Sequence, residues 1–559
     1  MRIPCSLRYG PQSRGCEGAH VTLSPSCSDL AYPCASLLVR LPSERSKEHL
    51  WEAVTMQDLP TVSALLAKGT SADERDPERA TPLMYVVGTG DMELFNLLLA
   101  HGADPNAKDP HGKTVLMACA GSYRTSEAET MAKTLLKHIR EVDMRDENGA
   151  TALMYASDKP GMIQILLDHG ADIQAHDNRG KTVLMDASDW EFYPEASGRG
   201  HYGNAVSFLL KHGADVNARD QKGETALLIA TSNRQDMRTV TALLAAGAKP
   251  NIPATRGTTP LMWAALREDQ EQIRALRKAG ATVGLMEALL LKDNAALNVA
   301  LAKGADVNLR GPYGRTPLMV AAQKEDIALV ERLLALGAKL DVRDDFELTA
   351  LHIAVGADGW GWTERHFGGR HPGGPPEETE VKDRPTLLQL LITHGAQVDA
   401  LDKEKAMPLQ WAAHWGFTQD VKVLLESGAA NQEARGAVPL ADAQKHGHDA
   451  IVRLLIEHGV SVDTRDEDGT PLLITAARGG NAAQVVYLLA HHAEVNCRDA
   501  SGATPLIHAA GKGNLAIVRT LLAAHADPHL KDYDDQTALD YANQKHHPDI
   551  SALLQQGVP

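Results

Sequence analysis

Residues 316–348 read TPLMVAAQKEDIALVERLLALGAKLDVRDDFEL, and most of the chain is built from variants of this stretch. Thr316 is typical of a helix N-cap, and Pro317 is typical of the first helical position, where its missing N–H costs nothing. Small and apolar residues follow and predict a first helix, and the apolar residues at 327–334 recur at helical spacing and predict a second. Gly337 is expected to end that helix, because glycine adopts the left-handed conformation without strain. The residues after it predict an extended, hairpin-like finger.

The same pattern recurs along the chain at a base period of 33 residues. Its Thr-Pro-Leu position, or a variant of it, falls at Thr81, Thr114, Thr151, Thr182, Thr225, Thr259, Thr316, Thr349, Met407, Val438, Thr470, Thr504 and Thr537. An incomplete unit precedes the first of these positions, and a unit without the signature fills residues 285–315. The sequence therefore predicts about 15 repeats over roughly residues 47–559, and each repeat buries its apolar face only against its neighbours.

The length of the unit and its Thr-Pro-Leu signature resemble the ankyrin-repeat family. The resemblance implies an all-α solenoid, in which a helix-turn-helix and a β-hairpin finger stack into a curved, elongated superhelix. In the family a histidine after the signature leucine bonds to the N-cap threonine, and we assign His352 and His508 to that position. Six units have methionine there instead: Met84, Met117, Met154, Met185, Met262 and Met319. For these units we expect apolar packing without the hydrogen bond.

Segments outside the period divide the chain further. Residues 1–46 are rich in Ser, Pro, Cys and Arg and have no apolar period, so we expect a disordered leader or sequence upstream of a start assigned too early. Three insertions are predicted between the two helices of a repeat, at about 122–130, 189–203 and 356–385. Such insertions lie on one face of a repeat array, and that face is often functional.

Composition and charge argue against several functions. The formal charge of −16 is opposite to the basic surface of a typical nucleic-acid-binding protein, so we expect no nucleic-acid partner. No apolar run approaches the roughly 18 residues of a membrane span. The six cysteines form no recognisable disulfide framework, which favours a reducing compartment, and we expect a cytoplasmic protein with secretion left open.

Most of the 24 histidines have a structural explanation. Five of them precede the glycine that ends a second helix, where they suit the helix C-terminus: His101, His169, His212, His394 and His458. In the third insertion Glu364, His366 and His371 lack the strict spacing of a metal site. No nucleophile elbow or phosphate-binding loop is present. We therefore predict no catalytic, cofactor-binding or metal-binding residues and no enzyme, although a site in the third insertion stays open as a competing hypothesis.

The resemblance implies a scaffold or adaptor that binds a protein partner through its concave face, its finger tips and its aromatic insertions. The candidate contact residues at the tips are Lys113, Arg179, Lys222, Arg256, Tyr313, Arg315 and Phe346. Those in the insertions are Trp190, Phe192, Tyr193, Trp360 and Trp362, because exposed aromatic side chains are typical anchors. The tips between Arg179 and Arg315 are basic, so we hypothesise that they dock an acidic segment.

Other functions are compatible with the same pattern. The alternative is a secreted effector or a regulatory subunit that modulates a host or partner enzyme, and a purely mechanical spacer is a further possibility. A monomer is expected, because polar residues in the last unit, such as Gln544 and Lys545, would cap the end of the array.

Overall fold

The structure is a computed structural model, and it describes residues 49–189, 202–233, 237–356, 384–429, 437–466 and 468–555. Within these ranges thirty α-helices follow one another in pairs and form fifteen repeats, as the period predicts. The fingers between the pairs contain isolated antiparallel bridges, such as the one between Lys108 and Thr114. The prediction of an all-α repeat solenoid is confirmed.

Each repeat contributes one helix to each of two layers. The first helices are α1 (Leu50–Thr55), α3 (Pro82–Thr89), α5 (Val115–Gly121), α7 (Ala152–Tyr155), α9 (Val183–Ser188), α11 (Ala226–Ser232), α13 (Pro260–Leu266), α15 (Leu285–Leu290), α17 (Pro317–Gln323), α19 (Ala350–Ala354), α21 (Pro408–Trp415), α23 (Ala437–Lys445), α25 (Leu472–Gly479), α27 (Pro505–Lys512) and α29 (Ala538–Gln544). The second helices are α2 (Leu59–Ala67), α4 (Met92–Ala100), α6 (Thr125–Leu135), α8 (Pro160–Asp168), α10 (Tyr202–Lys211), α12 (Met237–Ala245), α14 (Gln270–Lys278), α16 (Asn294–Ala302), α18 (Ile327–Ala335), α20 (Arg384–Thr393), α22 (Thr418–Glu426), α24 (Asp449–Glu457), α26 (Ala482–Ala490), α28 (Leu515–Ala523) and α30 (Pro548–Gln555). Among these helices, none is long and apolar enough to cross a membrane.

The core runs along the array between the two layers. In α18 the buried residues Leu329, Val330 and Leu333 recur at helical spacing, and they face a first helix of small buried residues such as Ala321 and Ala322. One apolar cluster extends over the first seven repeats and a second over the seventh to the fifteenth. Because each cluster is continuous across repeats, stability comes from the interfaces between neighbours.

The residues that the sequence predicts at the start and at the end of the helices have those positions in the structure. Thr316 Oγ1 accepts a hydrogen bond from the backbone N–H of Met319 (3.3 Å), which satisfies one of the unpaired amides at the start of α17. Gly337 has a φ of +88°, in the left-handed region that glycine adopts without strain. Four of the five histidines before such glycines bond to the helix end, as His458 Nδ1 does to the carbonyl oxygen of Leu454 (2.8 Å).

The methionines at the signature position behave partly as polar groups. The backbone N–H of Thr114 donates to Met117 Sδ (3.3 Å), and that of Thr316 donates to Met319 Sδ (3.4 Å). The expectation of packing without a hydrogen bond is therefore wrong for these two units, because sulfur acts as a weak acceptor in place of the imidazole. The assignment of His508 to the signature position is also wrong: Ile507 lies there, three residues after the N-cap.

A histidine should stabilise a unit in which this hydrogen bond is missing. Thr151 Oγ1 is buried without a partner beside the buried Met154, whereas Thr349 Oγ1 lies 2.9 Å from His352 Nδ1. We expect Met154→His to stabilise the fourth repeat by about 1 kcal/mol, because the imidazole supplies the missing partner. Hydrogen exchange of the amides in α7 and α8 measures the change. Met319→His is the matched control with a smaller gain, and unchanged or faster exchange in Met154→His would contradict the explanation.

The predicted insertions differ in outcome. The prediction of an insertion between the helices at about 122–130 is wrong from Thr125 onward, because Thr125 begins α6. This helix has 11 residues, whereas the second helix of the preceding repeat, α4, has 9. The helix therefore takes up two of the extra residues of this repeat. The other candidate residues, and the leader at 1–46, lie outside the described residues, so their predictions stand as made: Trp190, Phe192, Tyr193, Trp360 and Trp362.

Candidate protein-binding face

The first helices and the fingers together form one surface, which we call the first-helix face. Neighbouring finger tips are joined by their backbones, because the carbonyl oxygen of one tip accepts a hydrogen bond from the next. Four candidate residues provide such carbonyl groups, at distances of 2.7 to 3.2 Å: Arg179, Lys222, Tyr313 and Phe346. The tips are therefore held in a fixed row along the array.

Tyr313 is held at its tip in an unusual backbone conformation. It lies in a short 3-10 turn, Pro312–Gly314, and has a φ of +57°, in the left-handed region that non-glycine residues seldom adopt. Hydrogen bonds from the N–H of Gly311 to the carbonyl of Arg315 (2.8 Å) and from the N–H of Gly314 to the carbonyl of Gly311 (3.0 Å) close the turn. Strained positions of this kind persist where the surrounding structure fixes them, and they concentrate at functional sites.

Three aromatic side chains follow one another on the first-helix face, and we call them the aromatic row: Trp263, Tyr313 and Phe346. The rings of Trp263 and Tyr313 meet edge to face with centroids 5.1 Å apart, and the rings of Tyr313 and Phe346 lie 6.1 Å apart. All three side chains are half-buried. The row thus presents fixed apolar surface from the seventh repeat to the finger between the ninth and tenth repeats.

The aromatic row exists because the eighth repeat has no long finger. Its chain passes from Gly280 to Gly284 and directly into α15, so the neighbouring tips approach each other. Glu287 takes the place of the missing signature. Its buried carboxylate accepts hydrogen bonds from Thr259 Oγ1 of the seventh repeat (2.8 Å) and from the N–H of Gly284 (3.1 Å). The hydrogen bond to Thr259 thereby joins the unit without a signature, which the spacing predicts, to the seventh repeat.

Two of the basic tip residues on this face, Arg256 and Arg179, are paired with acids. Arg256 Nη1 forms an ion pair with Asp345 Oδ1. This pair reaches across the gap left by the short finger of the eighth repeat. Arg179 Nε lies 3.1 Å from Asp177 Oδ2. Lys222 is exposed on the same side. These pairs weaken the hypothesis of an acidic partner segment, because much of the positive charge is already neutralised within the chain.

Arg315 does not lie at an exposed tip, so that prediction is wrong. It is 4% exposed, its Nη1 donates to Gln323 Oε1 (3.0 Å), and its Nε lies 3.6 Å from the fully buried Asp344 Oδ2. In several other repeats the finger aspartate bonds to a polar residue nine positions later, as Asp402 Oδ2 does to Trp411 Nε1 (2.9 Å). In the tenth repeat that position is Ile353, and Arg315 of the preceding finger supplies the missing partner.

Lys113 is half-buried against the next repeat. Its Nζ lies over the ring of Tyr155, 4.6 Å from the centroid. Burial lowers the pKa of the Lys113 amine below its usual value, although the carboxylates of Asp109 and Asp146 oppose this effect. Lys113 therefore contributes less to an exposed basic surface than its place in the sequence indicates.

Trp263 is the functional candidate that the sequence analysis missed. It lies four residues after the N-cap Thr259, at the same position as Tyr155 and Trp411 in their repeats. The guanidinium of Arg267 lies over its ring, 5.5 Å from the centroid. The signal in the sequence was an aromatic residue in the first helix of a chain with only 4% aromatics.

Comparison with known families identifies the repeats. The family model described as "Ankyrin repeats (3 copies)" matches residues 50–146, 125–195, 193–287, 285–359, 380–466 and 472–558. Similar solved structures include the ankyrin repeat domain of Bcl-3, with 30% identity and a TM-score of 0.36 over 44% of this chain and 99% of that chain. The human ASB11 ankyrin repeat domain has 24% identity and a TM-score of 0.35 over 44% of this chain and all of that one.

The similar curated proteins are matched only in part. The human transient receptor potential cation channel subfamily A member 1 is 26% identical over 204 residues, which cover 31% of this chain and 17% of that protein. The mouse B-cell lymphoma 3 protein homolog is 31% identical over 163 residues, which cover 27% of this chain and 31% of that protein. The match thus spans less than a third of either relative. The family model covers most of the chain, and the chain belongs to the ankyrin-repeat family.

Proposed function

We propose that this protein is a scaffold or adaptor that binds a protein partner on its first-helix face, centred on the aromatic row. The observation that carries the proposal is the contact chain of Trp263, Tyr313 and Phe346 across the short eighth repeat. Aromatic and arginine side chains dominate the binding energy of protein interfaces. Ankyrin-repeat proteins generally mediate protein–protein interactions, and the fold is usually non-enzymatic.

The chemistry of the surface indicates what kind of segment would bind. The ring of Trp263 and the half-buried ring of Tyr313 offer apolar contacts at low entropic cost, because aromatic side chains have few rotatable bonds. The ion pair between Arg256 and Asp345 lies at the same place and offers both charges. We therefore expect the partner to insert an apolar or aromatic side chain flanked by mixed polar groups, rather than a run of acidic residues.

The remaining expectations belong to the same proposal. The aromatic insertions at about 189–203 and 356–385 would supply a second contact for the same partner. The protein would act as a cytoplasmic monomer, without a nucleic-acid ligand and without catalytic activity of its own. No observation on the described residues favours the alternative of an effector or a regulatory subunit over the scaffold.

Affinity capture with three baits tests the proposal. The baits are the unaltered chain, a chain that lacks residues 357–383, and a chain with Trp263→Ala and Phe346→Ala together, and mass spectrometry identifies the bound proteins. We expect a partner that is retained by the unaltered chain and lost by the double variant. A partner retained by the double variant and lost by the deletion would move the function to the third insertion. No specific partner with any bait would leave the spacer as the better explanation.

A further inference from the structure

Two imidazoles and a carboxylate meet where the last turns of α21 and α23 lie side by side. His414 Nδ1 lies 3.8 Å from Asp442 Oδ1, and the ring centroids of His414 and His446 are 4.4 Å apart. One possible ligand atom from each of the three residues lies within 4.8 Å of the other two. We propose that His414, Asp442 and His446 bind a divalent transition-metal ion of the zinc type.

The distances are close to those of a zinc site. Ligand atoms about 2.0–2.1 Å from a tetrahedral ion are about 3.3 Å from each other. The pair of His414 and Asp442 is within about half an ångström of that separation. His446 is exposed, so its ring can approach the other two ligands without disturbing the core.

Hydrogen bonds already orient the ligands as they are oriented in metal sites. His446 Nδ1 lies 2.9 Å from the carbonyl oxygen of Asp442, and this bond leaves its Nε2 as the ligand atom. Gln410 Nε2 donates to Asp442 Oδ2 (3.3 Å), which leaves Oδ1 on the side of His414. Metal-binding histidines typically donate their other ring N–H to a carbonyl or carboxylate oxygen, and ligating carboxylates are themselves hydrogen-bonded. His448 positions the end of α21, because its Nε2 lies 3.2 Å from the carbonyl oxygen of His414.

The donor set selects the class of ion. Two imidazole nitrogens and one carboxylate oxygen suit Zn²⁺ and its neighbours, whereas Ca²⁺ and Mg²⁺ prefer oxygen ligands throughout. Three protein ligands leave a fourth position for water or for a group of a partner. Asp442 and His446 border a groove of about 690 Å³ that reaches Arg465 and Arg478, so this fourth position is open to solvent.

The bound ion would join two repeats. His414 belongs to the eleventh repeat, and Asp442 and His446 belong to the twelfth. An ion held by both should stabilise their interface, because a ligand that binds only the folded state shifts the unfolding equilibrium. The metal therefore has a structural effect whether or not the protein partner is present.

Titration of the full chain with metal tests the proposal. The chain, without an affinity tag and stripped with EDTA, is titrated with Zn²⁺ by calorimetry and with Co²⁺ by visible spectroscopy. We expect one Zn²⁺ per chain, the visible bands of four-coordinate Co²⁺, and a Zn²⁺-dependent rise in melting temperature. In His446→Gln and in Asp442→Asn we expect Zn²⁺ affinity to fall by about 100-fold or more, because removal of even an outer hydrogen-bond partner costs 10- to 100-fold.

Another exposed histidine provides the control. His101→Gln makes the same chemical change outside the cluster, so it should leave the affinity, the stoichiometry and the Co²⁺ bands unchanged. Circular dichroism of each variant confirms that the helices are retained. Equal stoichiometric binding by His446→Gln and the unaltered chain would overturn the proposal, as would the absence of binding by the unaltered chain.

Discussion

Replacing Arg384 by Met should destabilise the ninth to eleventh repeats by about 3–5 kcal/mol at pH 8. Arg384 is 5% exposed, and its guanidinium joins three repeats: Nη2 lies 3.4 Å from Glu325 Oε1, and Nη1 lies 3.5 Å from Asp420 Oδ2. It also lies over the ring of Phe417, 4.1 Å from the centroid. The variant leaves the carboxyl of Asp420, which is 3% exposed, without its opposite charge, and an uncompensated buried charge is strongly destabilising.

The loss of stability should be smaller at pH 5. Burial raises the pKa of Asp420 to about 7, and the charge of Arg384 opposes this effect. Because a raised pKa favours the protonated carboxyl in the folded state, its contribution to stability is present at low pH and is lost as the pH rises towards 7. At pH 5 the carboxyl of Asp420 is neutral and needs no opposite charge, so removal of Arg384 costs less.

Hydrogen exchange of the amides in α20 and α22 at pH 5 and pH 8 gives the free energy of opening of these repeats. Arg519→Met in α28 is the matched control, because Arg519 is exposed and its replacement should change stability by no more than about 0.5 kcal/mol. Equal losses in Arg384→Met at the two pH values would contradict the role assigned to Asp420. A loss no larger than that of the control would contradict the role assigned to Arg384.

A Trp263→Ala variant should bind the protein partner at least about 30-fold more weakly, which corresponds to about 2 kcal/mol. Trp263 is the first member of the aromatic row, and its ring contacts Tyr313 and Arg267 at the surface. Truncation removes apolar area at the centre of the proposed interface and also leaves Tyr313 without its neighbour. Isothermal titration of the purified partner with each variant measures the change.

The matched control for this variant is Tyr487→Ala. Tyr487 is a half-buried aromatic residue on α26, in the layer of second helices, and the guanidinium of Arg453 lies 5.2 Å from its ring centroid. The two substitutions therefore remove similar aromatic contacts from opposite layers. We expect the affinity of Tyr487→Ala to equal that of the unaltered chain. Equal affinities for all three proteins would place the interface elsewhere.

Much of the fold was predictable because its signals are local. The N-cap of Thr316 and the left-handed Gly337 are properties of a few neighbouring residues, and the period repeats them along the chain. The prediction of a loop near 122–130 was wrong because the distance between two signatures gives the number of extra residues but does not give their conformation. Thr125 begins a longer helix instead.

The candidate site was less predictable because its contacts join different repeats. Arg315 lies in the sequence where an exposed finger tip is expected, but it is buried beside Asp344 of the next finger. Asp344 needs a polar partner, and the side chain of Ile353 cannot supply one. Trp263 meets Tyr313 only because the eighth repeat is short.

The cluster of His414, Asp442 and His446 has a signal in the sequence that joins two repeats. Asp442 lies on α23 and His446 directly follows the last residue of that helix, and His414 lies 32 residues before His446, about one period away. Residues one period apart in a repeat array occupy the same position in neighbouring repeats, so they lie side by side.

The position of the partner on the chain shows whether the first-helix face is the binding surface. Hydrogen exchange of the unaltered chain, with and without the captured partner, identifies the amides that become protected. We expect slower exchange around the aromatic row, in residues 255–263, 311–316 and 343–349. Protection confined to the second helices α12, α14 and α18 would contradict it.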